Sequence, residues 1–176
     1  SRIGRKRNAE KIRRIILETN RKNGIVRRSG KIPLKFSSEK AALIGHLHGD
    51  GYISNSSIGY CNQCLTLVRG VRNLIKKIYK IQGWKPYWDG VKYNTGSGAI
   101  LIVNDLSKYR SKKSIWVVPR EIKRSKKYIA LYVRALFDDD GSANFSKNKW
   151  KREIRLYSKN HDGLKTIKNL LLRFGI

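Results

Sequence analysis

An α+β fold in which one α-β-β-α-β-β-α unit appears twice is what this sequence predicts, and three observations carry the prediction. The apolar segment LIGHLHGDG, residues 43–51, ends in Asp50-Gly51, and VRALFDDDG, residues 133–141, repeats the plan with Asp140-Gly141. Each segment is followed by a β-rich run and then by apolar residues at helical spacing. The 176 residues are 40% hydrophobic, enough for a real core in one compact domain or two small fused ones.

Taken in order, NAEKIRRIILETNRKNG (residues 8–24) predicts a short amphipathic helix, with Ile12, Ile15 and Ile16 on one face and Asn23-Gly24 closing it. Residues 25–36 are basic and read as a connector. A helix opens at Ser38 and is stopped by Gly51. SSIGYCN and CLTLVRG are expected to be two short strands, and VRNLIKKIYKIQGW places Val71, Leu74, Ile75 and Ile78 on one helical face. KPYWDGVKYNTGSGAILIVND predicts two further strands around the Gly-Ser turn at 96–98, and LSKYRSKK a closing polar helix. Residues 111–127 form a basic linker broken by Pro119. The helix KYIALYVRALFDDDG is apolar on nearly every side, which marks a buried helix. In KWKREIRLYS, Ile154 and Leu156 share one face of a strand while Lys151, Glu153, Arg155 and Tyr157 share the other, and HDGLKTIKNLLLRFGI repeats the post-hairpin helix. The divisions are a basic extension over 1–37, a first half over 38–110, the linker over 111–127 and a second half over 128–176. The second half stops where its last hairpin and helix are due, so a C-terminal segment is expected to be missing. Since the chain has no Met, it is also expected to be a processed or trimmed form.

Forty Lys and Arg against twelve Asp and Glu give a net charge of +28. Such an excess repels itself in a compact state, and a polyanion is the natural partner. Nucleic acid fits, because each phosphate neutralised releases condensed counterions. An anionic membrane surface or a ribosomal particle is the alternative. No apolar run is long enough for a membrane span and the charged SRIGRKRNAEK does not support a signal peptide, so a cytoplasmic, nucleoid-associated protein is expected. Cys61 and Cys64 form one CNQC without further ligands to complete a zinc site, and read as reduced thiols.

A helix C-terminus carries about half a negative charge, so an Asp in its last turn is unfavourable by a few tenths to about 1 kcal/mol. Such a turn occurring twice, each time at the end of a helix too apolar to be exposed, needs compensation. With Gly45 and Ala135 each five positions before its Asp, the two helices can pack side by side and bring Asp50 and Asp140 together as hard oxygen ligands. Mg²⁺ takes one or two carboxylates completed by water and phosphate, which is a phosphodiester-cleaving arrangement. The DDDG at 138–141 fails as a calcium loop, since Leu136 would stand at the first ligand position. His46 and His48, two apart on a helix, point to different faces and do not share a metal.

These residues resemble the LAGLIDADG homing endonucleases in their two-motif monomeric form, most closely those encoded by introns in archaeal ribosomal RNA genes. LIGHLHGDG and VRALFDDDG match the motif at its small third residue and its terminal Asp-Gly, and LYSKN followed by GLKTIKNLLLRFGI resembles the family's strand-to-helix passage. His48 replaces the motif's first Asp. The resemblance implies two pseudo-symmetric αββαββα halves with paired motif helices at their interface and antiparallel, saddle-shaped sheets over DNA. It implies Asp50 and Asp140 as catalytic metal ligands for Mg²⁺ or another divalent cation, with the carbonyls of Gly49 and Asp139 beside them and Arg69 and Lys159 as the nearest matches to an auxiliary cation. It also implies cleavage of both strands across the minor groove with short 3′ overhangs, acting as a monomer on double-stranded DNA, expected to be an intronless ribosomal RNA gene. An RNA maturase or a non-catalytic DNA-binding protein on the same scaffold are the rival expectations. For groove recognition, Lys151 and Arg155 can donate to guanine or phosphate, Glu153 can accept from cytosine and Tyr157 can do either, with Tyr87, Asp89, Lys92 and Tyr93 as first-half candidates.

Overall fold

The computed structural model describes residues 32–33, 35–111, 115–146 and 151–176. The helix expected over residues 8–24 lies outside them. The first half runs α1 (Ser38–His48), β1 (Gly51–Ile53), β2 (Ile58–Asn62), α2 (Leu65–Tyr79), β3 (Tyr87–Trp88), β4 (Tyr93–Ser97) and α3 (Ile100–Leu106), then a 3-10 turn at Ser107–Tyr109. After a one-turn helix α4 (Arg120–Lys123) come α5 (Lys126–Asp140), β5 (Gly141–Ser146), β6 (Lys151–Leu156), α6 (His161–Leu171) and a 3-10 turn at Leu172–Phe174.

The order αββαββα of the first half is as expected, but three segments take different structure. CLTLVRG is helix rather than strand. Val68, Val71, Ile75 and Tyr79 meet the core three to four residues apart, so its residues extend the following amphipathic helix toward the N-terminus. The hairpin turn lies at 89–92 rather than 96–98. Asp89 Oδ1 accepts from the backbone N–H groups of Val91 and Lys92, at 3.0 and 2.9 Å, and Gly90 supplies the positive φ of 99°. The apolar run after it becomes α3, burying Ile102, Val103 and Leu106, and the polar helix expected next is only the short 3-10 turn.

The first sheet is antiparallel throughout, in the order β1-β2-β4-β3, and β5 and β6 form a separate antiparallel pair. On β6, Leu156 packs against the core, while Ile154, farther along the hairpin, is exposed. α1 is capped by Ser37, which accepts from Lys40 N–H at 3.2 Å, and is buried on nearly all sides, with Leu43, Ile44 and Leu47 at its centre. It lies directly on α5. A Cβ at Gly45 would stand 2.6 Å from the Tyr132 carbonyl oxygen and 2.7 Å from Ala135 Cβ, so the helices touch backbone to side chain as the small residues predict. Among the described residues between the halves, Trp116, Val118 and Ile122 are buried in the shared core. Lys40 near the start of α1 pairs with Asp105 of α3 at 2.6 Å, and Tyr79 of α2 donates to the same carboxylate at 2.7 Å.

Candidate metal centre and nucleic-acid interface

Packing α1 on α5 through Gly45 carries the two helix ends to one place. Gly49 ends α1 and Asp50 follows it, while Asp140 is the last residue of α5. The surroundings repeat with pseudo-twofold symmetry: the Asp50 carbonyl accepts from Cys61 N–H at 3.3 Å, and that of Asp140 from Tyr157 N–H at 3.4 Å. Both carboxyl groups are held above the usual carboxylate range, chiefly by burial. For Asp140, pushed up to about 6, the charges of Asp50 and Asp139 come next. For Asp50, a hydrogen bond from Asn62 Nδ2 at 2.7 Å works against the burial, and the charge of Asp139 adds to it. The charge of Asp50 thus registers on Asp140.

Asp139 has a role the sequence did not suggest. Its side chain is fully buried, with His46 Nδ1 at 3.1 Å from each of its oxygens and the Tyr60 hydroxyl donating to Oδ1 at 2.5 Å. It lies against Gly49, where a Cβ would come within 2.6 Å of Asp139 Oδ2. Gly49 and Asp139 occupy equivalent positions in the two segments, and that contrast of the smallest residue with a charged one was the available signal. His46 and His48 do part company. His48 is buried and stacked on Trp116, with ring centroids 5.9 Å apart. Its Nε2 lies 2.8 Å from the Tyr109 carbonyl, which only accepts, so Nε2 carries the proton and Nδ1 accepts from the Tyr132 hydroxyl at 2.8 Å. Burial holds this imidazole down to about 4, against the weaker opposing effect of the Tyr109 hydrogen bond.

Among the cations, Lys159 shares an open cleft of about 620 Å³ with Asp140, Gly49 and Tyr157. Arg69 is exposed on α2. Lys92 and His46 are the groups whose positive charge registers on Asp50; Lys92 is raised above its ordinary value first by a hydrogen bond with the Cys61 side chain, with smaller contributions from Asp89 and Asp50. Of the groove candidates, Glu153 pairs with Arg155, whose guanidinium also donates to the Tyr157 hydroxyl at 3.3 Å, linking the three along one strand face. The backbone of Lys151 begins β6, and its side chain lies outside the described set. Tyr87 is exposed, Asp89 is occupied in making its turn, and Tyr93 packs on Trp88 with centroids 4.8 Å apart and toward the core. Cys61 and Cys64 are free thiols. Among the described residues no cluster of three or more His, Cys, Asp or Glu is placed to hold a metal, and no helix is long and apolar enough to cross a membrane.

Residues 127–176 match the family model of the LAGLIDADG-like domain. No curated protein matches the chain in sequence. Among solved structures, a chain from a study of mesophilic variants of the homing endonuclease I-DmoI superposes with a TM-score of 0.52 at 13% identity, covering 78% of this chain and 72% of its own. The chain thus has an α+β fold with antiparallel sheets like that of a LAGLIDADG homing endonuclease, and its last fifty residues match the LAGLIDADG-like domain.

Proposed function

We propose that this protein is a site-specific homing endonuclease that cuts both strands of duplex DNA across the minor groove, leaving short 3′ overhangs, as a monomer using Mg²⁺ or another divalent cation. The observation that carries the reading is the convergence of Asp50 and Asp140 at the ends of two helices packed through Gly45, the charge of Asp50 raising the electrostatic cost of ionising Asp140. Two half-buried carboxylates are too few for a closed zinc or calcium cage but suit Mg²⁺, which keeps water and substrate phosphate in its shell.

Asp50 and Asp140, with the carbonyls of Gly49 and Asp139, would hold the cation, which when bound supplies a more acidic water and stabilises the leaving 3′ oxygen. Asn62 fixes the rotamer of Asp50 through its 2.7 Å hydrogen bond. Lys92 beside Asp50, and Lys159 in the cleft with Asp140, would draw the scissile phosphate of each strand, with Arg69, exposed on α2, as a further candidate cation. Glu153, Arg155 and Tyr157 present a donor and acceptor row to base edges in the major groove, with Lys151 beginning the same strand. An intronless ribosomal RNA gene, in an archaeal intron-encoded setting, is the target we propose.

The test is cleavage of a supercoiled plasmid carrying candidate junctions in the presence of Mg²⁺. Asp140→Asn is expected to abolish cutting while duplex binding persists. Cutting by that variant at the wild-type rate would refute the assignment.

A further inference from the structure

The chain has two cysteines, three positions apart, and the proposed cleavage makes no use of their sulfur chemistry. Cys61 lies near the end of β2 and is half-buried, while Cys64 is exposed just before α2. Three fully extended steps would hold their Cα atoms about 10 Å apart, beyond the reach of about 7 Å for a disulfide. The chain is not extended there. It bends at Gln63, and the Cys64 N–H is tied back to Asn62 Oδ1 at 2.7 Å.

Cys61 and its neighbour Asn62 are also residues that hold Asp50. The Cys61 N–H and S–H both donate to the Asp50 carbonyl, at 3.3 and 3.4 Å, and Asn62 Nδ2 donates to Asp50 Oδ2 at 2.7 Å. Asn62 therefore bridges Asp50 and Cys64, with one end of its side-chain amide on each. In the reduced chain the Cys61 sulfur is turned to Asp50. Bonding it to Cys64 takes the S–H donor away from the Asp50 carbonyl and draws the two cysteines together across Asn62. Closing that bond and keeping the Asn62 bridge are competing demands on one short turn.

We propose that Cys61 and Cys64 are a reversible redox pair, oxidised to a disulfide by small-molecule disulfides, and that closing the bond loosens the hold of Asn62 on Asp50. The exposed Cys64 sulfur attacks a disulfide RS–SR, forming a Cys64 S–SR bond, and the displaced RS⁻ leaves as RSH with the Cys64 proton. The Cys61 sulfur then attacks the Cys64 sulfur, the S–SR bond breaks, and a second RSH leaves with the Cys61 proton. Two electrons pass from the cysteines to the small molecule. The pair itself stands apart from DNA cleavage. Its bearing on cutting rests on the nuclease reading, in which Asp50 holds the cation and the oxidised chain lacks a fixed carboxylate there.

The test is equilibration of the full chain, in chelator, with glutathione buffers of rising oxidised-to-reduced ratio, followed by acid quench, alkylation and intact mass. Wild type is expected to pass in one step from two alkylated thiols to none, with no glutathione attached. Cys61→Ser and Cys64→Ser should each carry glutathione on the remaining cysteine instead. Glutathione held on both cysteines of the wild type, or two thiols still free at the most oxidising ratio, overturns the pair. The coupling to Asp50 is read from the midpoint of oxidation. Asn62→Ala is expected to lower the midpoint ratio about 10- to 100-fold, the effect of one hydrogen bond to a charged group. Asp50→Ala, which removes the acceptor of that bond, should shift it the same way and decides alone should Asn62→Ala not fold. Midpoints that stay unchanged or rise overturn the coupling. Because neither readout needs metal or cutting, failure here leaves the plasmid-cleavage test of Asp140 untouched.

Discussion

At the residue scale, His48 shows how one side chain can be committed by its neighbours. Its Nε2–H is donated to Tyr109, its Nδ1 lone pair is taken by Tyr132, and its ring is covered by Trp116, so adding a proton places a charge on a buried ring whose two nitrogens are bonded to neutral groups. The folded imidazole titrates at about 4 against an ordinary 6.5. The unfolded chain therefore binds more protons between those values, and stability is full above about pH 6.5 and declines as the pH falls toward 4, by about 3 kcal/mol for this group. Asp140, raised to about 6, gives the opposite slope over an overlapping range, so the difference between wild type and His48→Gln isolates the histidine. Urea unfolding of metal-free protein across this window should show His48→Gln lacking that decline; parallel profiles for the two proteins would show that His48 is not held neutral. Asp139 is committed in the same way, by His46 and Tyr60. A sequence shows such a residue only as one of three consecutive aspartates, because the partners that bury it lie 79 and 93 positions away.

At the element scale, the contact of α1 with α5 is set by the absence of a side chain. Gly45 has the Tyr132 carbonyl and Ala135 where its Cβ would be. Gly45→Ala must push two buried helices apart, and a destabilisation of about 1–3 kcal/mol is expected, read from the denaturant midpoint, despite alanine's better helix propensity. A stabilised variant would mean that the helices are not in contact there. The two apolar helices and their small residues were legible because burial on all sides leaves a strong mark on composition. The hairpins were less so. Thr66, Leu67 and Val68 suit a strand locally, and only the recurrence of Val68, Val71, Ile75 and Tyr79 against the core makes the segment a helix. Likewise, Asp89-Gly90 and Gly96-Ser97-Gly98 both spell a turn, and the Asp89 carboxylate, by capping two backbone N–H groups, decides between them. The packed character of residues 115–122 was hidden by the lysines and arginines around Trp116, Val118 and Ile122.

At the scale of the whole molecule, a net charge of +28 sets the terms of association. If it is directed at phosphates, duplex affinity of the Asp140→Asn variant should fall by about 10³-fold or more between about 50 and 200 mM salt, as for proteins making six or more phosphate contacts. A nearly flat salt dependence in a binding titration would show that the charge serves another partner. The fold places its carboxylates at a helix junction and its basic and aromatic residues on the strands beside it, so the hydrolysis and base recognition proposed above would occupy adjoining regions.

The seam between the halves is chemically lopsided. Position 49 is glycine where position 139 is a carboxylate, and His46 reaches across to that carboxylate from a place where the other segment has Leu136. Two first-half segments meeting like with like would leave both histidines without their anion. Two second-half segments would drive a pair of sealed-off negative charges into the same space. Mispairing is penalised from either side, so the seam as built favours the joining of unlike halves.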